Sequence, residues 1–219
     1  LRRLFPDVSP KVAITGPTTL GMTCASRKVE SYYGGLSDFA LYEDIAEALA
    51  PVAKALTDGG AYLQIDEPFL SQGFKDLPAR VSLLDRVARG LPRERVSVHV
   101  CGYIGRFGVL GHLARLENVS TLSFAFAGRL EEPNLGHLEK APFEENGKRL
   151  GAGCISVTPM SEPEVQTPDQ VRSKLADICG RVGRENVAYA HPDCGLRATK
   201  KELVPIILRN MRAGVDLFG

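Results

Sequence analysis

The sequence predicts an α/β protein with a parallel sheet, and among parallel-sheet folds the (βα)8 TIM barrel. Three observations carry that reading. Six short apolar, β-branched runs begin at residues 11, 61, 96, 119, 152 and 187, at intervals of 50, 35, 23, 33 and 35 residues. Segments of helical periodicity fill most of the gaps between them. The polar and conformationally special residues fall just after the runs, where parallel α/β folds build their sites.

The first strand reads Lys11-Val12-Ala13-Ile14-Thr15 and is halted by Gly16-Pro17. From Asp38 the apolar positions Leu41, Ile45, Leu49, Val52 and Leu56 recur every three or four residues, giving a helix that stops at Gly59-Gly60. The second strand runs from Ala61 to Ile65 before Asp66-Glu67-Pro68, and Leu77 to Arg89 forms the next helix, ended by Gly90. Val96 to Val100 precedes Cys101-Gly102, Val119 to Phe124 follows, and Ala152 to Val157 is the fifth strand. Thr167-Pro168-Asp169-Gln170 has the form of a capping box with proline in the first turn, opening a helix to about Arg181. Val187 to Ala190 leads into His191-Pro192-Asp193-Cys194-Gly195. Thr199-Lys200-Lys201-Glu202 suggests a second capping box, with Pro205 kinking its helix or delaying its regular start.

No glycine-rich dinucleotide or P-loop sequence follows a strand, which favours the barrel over the nucleotide-binding sheets. Six strands fall short of eight, and residue 1 is not methionine. The expectation is therefore a single partial barrel domain over residues 1–219, its first two βα units lying upstream.

Composition narrows the function classes. Lys and Arg total 27 against 26 Asp and Glu, for a net charge of +1, so no basic excess exists to attract nucleic acid. No apolar run approaches the roughly 20 residues of a membrane helix, and the start Leu1-Arg2-Arg3-Leu4-Phe5-Pro6 lacks a signal-peptide core. A cytoplasmic protein without nucleic-acid or membrane partners is expected. Cys24, Cys101, Cys154, Cys179 and Cys194 are odd in number and widely spread, which is a poor disulfide framework. The plain reading of each is a small buried hydrophobe; Cys101 and Cys194 escape it.

In His99-Val100-Cys101, residues two apart on a strand project to one face. Alone, the pair reads equally as a core histidine beside a buried cysteine. Cys194 follows the last strand, and in a closed parallel barrel it opens onto the same end. Imidazole and thiolates are ligands zinc prefers, and a catalytic zinc keeps one position open for substrate.

Four signatures then match in order: Gly16-Pro17-Thr18-Thr19, Gln64-Ile65-Asp66-Glu67-Pro68, His99-Val100-Cys101-Gly102 and Pro192-Asp193-Cys194-Gly195-Leu196. With them the sequence resembles the C-terminal catalytic barrel of cobalamin-independent methionine synthase, its short archaeal-like relatives in particular. The resemblance implies a (βα)8 barrel and a zinc ion held by His, Cys, Glu and Cys. That zinc activates the sulfur of homocysteine, which attacks a methyl carried by folate or, in short relatives, by a corrinoid protein or methylcobalamin. His99, Cys101 and Cys194 match three ligands, and Asp66 matches the carboxylate that grips the substrate amino group.

Three positions depart from the pattern. Ser123 stands where the resemblance expects the Glu ligand, and Thr158 where it expects the acid–base His, so no catalytic residue is assigned. Thr23 stands near the place of a Trp that stacks on folate, and the chain has no Trp. The loss of an aromatic platform and a proton donor favours a corrinoid donor; the alternative is that Tyr32 or Tyr33 replaces the Trp. His191 could support a metal ligand from behind, Glu67 could do the same or simply anchor its loop, and His112 and His137 read as ordinary helix or loop residues. Glu131-Glu132 and Lys200-Lys201 read as solvated charge. The expected function is a zinc-dependent methyltransferase turning a thiol, homocysteine first, into methionine. A related thiol-alkyltransferase and a non-catalytic paralogue are the alternatives.

Overall fold

Parallel pairing decides the fold, and it is visible in the register of the strands in a computed structural model, which describes residues 4, 6–24 and 29–219. Of the N-terminal run read for a leader, Leu1, Arg2, Arg3 and Phe5 lie outside the described residues. In chain order the main elements are β1 (Lys11–Thr15), α1 (Pro17–Cys24), α2 (Phe39–Asp58), β2 (Tyr62–Asp66), α3 (Leu77–Val87), β3 (Val96–Val100), α4 (Val109–Ala114) and β4 (Thr121–Ala125). They continue with α5 (Glu131–Leu135), α6 (Ala141–Glu145), β5 (Arg149–Ile155), α7 (Pro168–Val182), β6 (Val187–Pro192) and α8 (Val204–Phe218). Sheet order follows chain order, β1-β2-β3-β4-β5-β6. It lacks the reversal that marks a doubly wound sheet.

The described residues divide into two compact units, one holding those up to Val100 together with Arg106–Leu122, the other Cys101–Gly105 with Ser123–Gly219. In the first unit β1 and β2 pair parallel, with Lys11 opposite Tyr62 and Thr15 opposite Asp66. β2 and β3 do likewise, with Leu63 opposite Val96 and Asp66 opposite His99. Leu63, Ile65, Val98 and Val100 are fully buried, as expected of strands covered by helices. Asp38 caps α2 as its side chain accepts the Ala40 amide, and Gly59 ends it. The guanidinium of Arg80 on α3 lies 4.2 Å from the ring centre of buried Tyr42 on α2, joining the two helices.

In the second unit β5 and β6 are parallel, with register shifts after Leu150 and after Gly153. A Cβ at Gly153 would stand 2.5 Å from the Phe124 carbonyl oxygen and 3.0 Å from Asp193 Cα, so only glycine lets these backbones approach. Helices α7 and α8 pack together, a Cβ at Gly214 standing 2.6 Å from Val171.

All six expected strands form. The fourth starts two residues late at Thr121, and the fifth is displaced to Arg149–Ile155, its glycines pairing tightly where β-branched content pointed further on. The capping box at Thr167 is formed, both reciprocal bonds being present. The one expected at Thr199 is not: the Thr199 hydroxyl donates to the Val157 carbonyl instead, and α8 begins only at Val204 with Pro205 in its first turn. Pro205 thus delays the helix rather than kinking it. Among the described residues no helix is long and apolar enough to cross a membrane.

The capping geometry at α7 gives a direct expectation. Thr167→Ala removes the hydroxyl that accepts the Gln170 amide and should cost about 1 kcal/mol of unfolding free energy in a urea titration. Thr199→Ala, lacking any capping bond to lose, should not weaken α8 through its N-terminus.

Candidate metal centre

At the C-terminal end of β2 two carboxylates take opposite roles. The Asp66 backbone carbonyl accepts the Gly16 amide at 2.9 Å, and its side chain accepts Gln64 Nε2 at 2.7 Å while remaining half-buried. Glu67 is wholly buried and faces the start of α1. Its oxygens accept the Thr18 amide at 2.8 Å, the Thr19 amide at 2.9 Å and the Thr19 hydroxyl at 2.7 Å. These are amides the first turn of a helix leaves without partners. A Cβ at Gly16 would stand 2.4 Å from the Glu67 carboxylate, so the glycine of the Gly-Pro-Thr-Thr turn is a clearance for Glu67. The Glu67 amide in turn donates to the His99 carbonyl at 2.8 Å. Of the two readings of Glu67, the loop anchor is the one built.

The second unit holds the sulfur pair. Cys101 Sγ and Cys194 Sγ lie 3.0 Å apart, although 93 residues separate them in sequence. Asp193 holds the Cys194 loop: its amide donates to the Ile155 carbonyl and its carboxylate accepts the Val157 amide at 2.9 Å. The Cys101 thiol is pushed far up by its hydrogen bond with Cys194 and by burial, against the pull of Arg129. Two thiols in contact cannot both ionise without a cation to hold them. His99, the third candidate ligand, lies in β3 of the first unit, two residues before Cys101 in the chain. The sulfurs stand close enough to share one ion at about 2.3 Å from each, so the donors fit zinc.

The neighbouring positions are occupied in other ways. The Ser123 hydroxyl lies 2.8 Å from His191 Nε2, and His191 Nδ1 lies 2.6 Å from the Pro192 carbonyl. Since a carbonyl only accepts, Nδ1 carries the proton, and in the neutral ring Ser123 donates to Nε2. His191 therefore orients Ser123. Thr158 pairs its hydroxyl with Ser156 at 3.0 Å. His112 lies in α4, as expected of an ordinary helix residue, whereas His137 Nε2 hydrogen-bonds the Tyr103 hydroxyl. Glu131 forms an ion pair with the buried Lys174, which corrects its reading as solvated charge, and Lys200 donates to the Met160 carbonyl. Of the other cysteines, Cys154 is buried and its thiol is pushed up to about 12 by that burial, and Cys179 is half-buried. Cys24 ends α1 in solvent, contrary to the buried expectation. Tyr33 donates to Asp44, and Tyr32 is exposed.

The model of the cobalamin-independent synthase catalytic domain matches residues 5–216. The chain belongs to this family. Within it, the chain is 39% identical over 214 residues to the methionine synthase of Methanothermobacter thermautotrophicus, covering 96% of this chain and 65% of that protein. It is 37% identical to the methionine synthase of Methanothermobacter marburgensis, over 96% and 64% of the two chains. The chain thus spans under two thirds of the length of these curated relatives. A B12-independent methionine synthase from Shewanella sp. W3-18-1, solved in complex with selenomethionine, superposes with a TM-score of 0.77 at 21% identity, over 99% of this chain and 63% of that one. It shares the fold of this family member.

Sequence reasoning did not find Asn134, whose side chain links three backbone positions next to Cys101 and β4. No motif or periodicity marks it. The anchoring role of Asp193 was likewise hidden inside the motif that pointed to Cys194.

Glu67 gives this site a pH signature. Burial raises its carboxyl from the ordinary 4.5 to about 7, against the hydrogen bonds from Thr19 and Thr18 and the charge of Arg80. The folded state therefore holds this proton more tightly than the unfolded chain. The stability so gained is full below about pH 4.5 and is lost as pH rises through about 7. Urea titrations of the protein and of Glu67→Gln should show the difference in unfolding free energy falling across that window and flat above it. A difference independent of pH would mean that the carboxyl ionises normally.

Proposed function

We propose that the protein is a zinc-dependent methyltransferase that activates the thiol of homocysteine and transfers a methyl group to it, giving methionine. The observation that carries this reading is the Cys101–Cys194 sulfur pair at 3.0 Å, in a member of this family. The framework we read for it is a (βα)8 barrel, supported by the unreversed strand order and by the fold likeness to the Shewanella enzyme. That enzyme was solved in complex with selenomethionine, an analogue of the proposed product.

His99, Cys101 and Cys194 are the residues that would hold the ion. When bound, zinc supplies Lewis acidity that lowers the pKa of the substrate thiol while leaving the sulfur nucleophilic. Three protein ligands would leave one position for the substrate sulfur, and the Ser123 hydroxyl is engaged with His191. Asp66 offers a carboxylate at the end of β2 for the substrate ammonium group, and Glu67 fixes the turn beside it. The sulfur–carbon bond forms as the donor–methyl bond breaks, the bonding pair staying on the donor, which takes up the proton the thiol has given up. The corrinoid donor expected from the sequence finds no support in a family described as cobalamin-independent, and the proposal leaves it out. A second reading, the same chemistry on another thiol, rests on Ser123 and Thr158 standing where the family resemblance expects a ligand and an acid.

Metal analysis should find about one zinc per chain, with X-ray absorption showing sulfur at about 2.3 Å and one further sulfur on adding homocysteine. Cys101→Ser and Cys194→Ser should each lose the metal and the activity. Asp66→Asn should keep the zinc and raise KM for homocysteine. Methyl-folate and methylcobalamin, supplied separately, identify the donor. A protein that binds no zinc under these conditions would be the non-catalytic paralogue instead.

A further inference from the structure

The segment from Cys101 to Gly105 carries a proposed metal ligand yet belongs to no helix or strand. Its backbone groups therefore need partners from elsewhere. Asn134 supplies them. It lies in α5, is fully buried, and all its side-chain bonds stay within the second unit. Its Oδ1 accepts the Ile104 amide at 3.0 Å, and its Nδ2 donates to the Gly102 carbonyl at 3.0 Å and to the Ala125 carbonyl at 2.8 Å. Acceptor and both amide hydrogens are thus used, and the hydrogen-bonding pattern admits only one orientation of the amide. Gly102 directly follows Cys101, and Ala125 ends β4. The helix bearing Asn134 is itself held at both ends by α7. The buried Lys174 pairs with Glu131 at its start, and Arg181 Nη1 donates to the Leu135 carbonyl at its end, 2.9 Å away.

We propose that Asn134 is a positioning residue of the metal centre: by fixing Gly102 and Ile104 to the end of β4 it holds the Cys101 thiol against Cys194. The inference rests on the reading of these cysteines as metal ligands, but its central test does not need the metal. A thiol pair held in contact closes into a disulfide far more readily than a loose one, so its exchange equilibrium measures the pair's effective concentration. In that exchange two protein thiols and one oxidised glutathione give one protein disulfide and two reduced glutathiones, so atoms and electrons balance.

The experiment equilibrates the metal-free protein with glutathione buffers and quantifies the Cys101–Cys194 disulfide by mass mapping. It compares the unaltered protein with Asn134→Ala and Asn134→Asp. The Asp variant keeps the acceptor for Ile104 and loses the amide donors, and it carries the comparison if the Ala variant does not fold. Leu175→Ala, a buried position on α7, controls for lost stability alone. Both Asn134 variants should lower the effective concentration about tenfold or more and weaken zinc binding about 10–100-fold, while Leu175→Ala leaves both within about twofold. An unchanged thiol equilibrium in the Asn134 variants would overturn the inference, whatever their zinc affinity. A fall in that equilibrium in a protein that never binds zinc would uphold the positioning role and overturn the metal reading.

Discussion

Where a parallel strand ends, its last backbone groups lose their ladder partners, and a buried amide or carbonyl left unpaired is costly. In this protein buried polar side chains at the strand ends meet that need. Glu67 takes the free amides at the start of α1, Asp193 takes the Val157 amide after β5, and Asn134 takes the groups around Cys101. Each of these residues neighbours, in sequence or through hydrogen bonds, a residue of the candidate site: Asp66, Cys194 and Cys101. The satisfaction of the backbone and the placement of the chemistry are one arrangement.

The sulfur pair shows why the arrangement is suited to a metal. Two thiols in contact resist ionisation, and burial adds to that resistance at Cys101. A divalent cation reverses the balance, because it stabilises the thiolates that the protein alone disfavours. Cys154, buried and pushed up to about 12, donates instead to the His191 carbonyl. Chemically alike residues thus differ in role through their neighbours.

Much of the framework could be read from the chain. Lys11–Thr15 and Val96–Val100 have the bounds their composition predicted, because β-branched runs flanked by glycine or proline have few alternatives. The Thr167 box formed because its two bonds are local, three residues apart. Thr199 has the same spacing, yet a carbonyl 42 residues away captured its hydroxyl. The fifth strand moved toward Arg149 because Gly151 and Gly153 allow close backbone approach, which weighs little in β propensity but much in packing.

The sequence by itself determined the alternation of strands and helices, and the capping box at Thr167. These are matters of residue type and of spacing over a few positions. Only the tertiary structure decided that Cys194 meets Cys101, that Ser123 turns to His191, that Glu67 anchors a helix, and that Asn134 holds the loop. Those outcomes depend on chain segments from 9 to 93 residues apart competing for the same buried hydrogen bonds, and no local pattern records which of them wins.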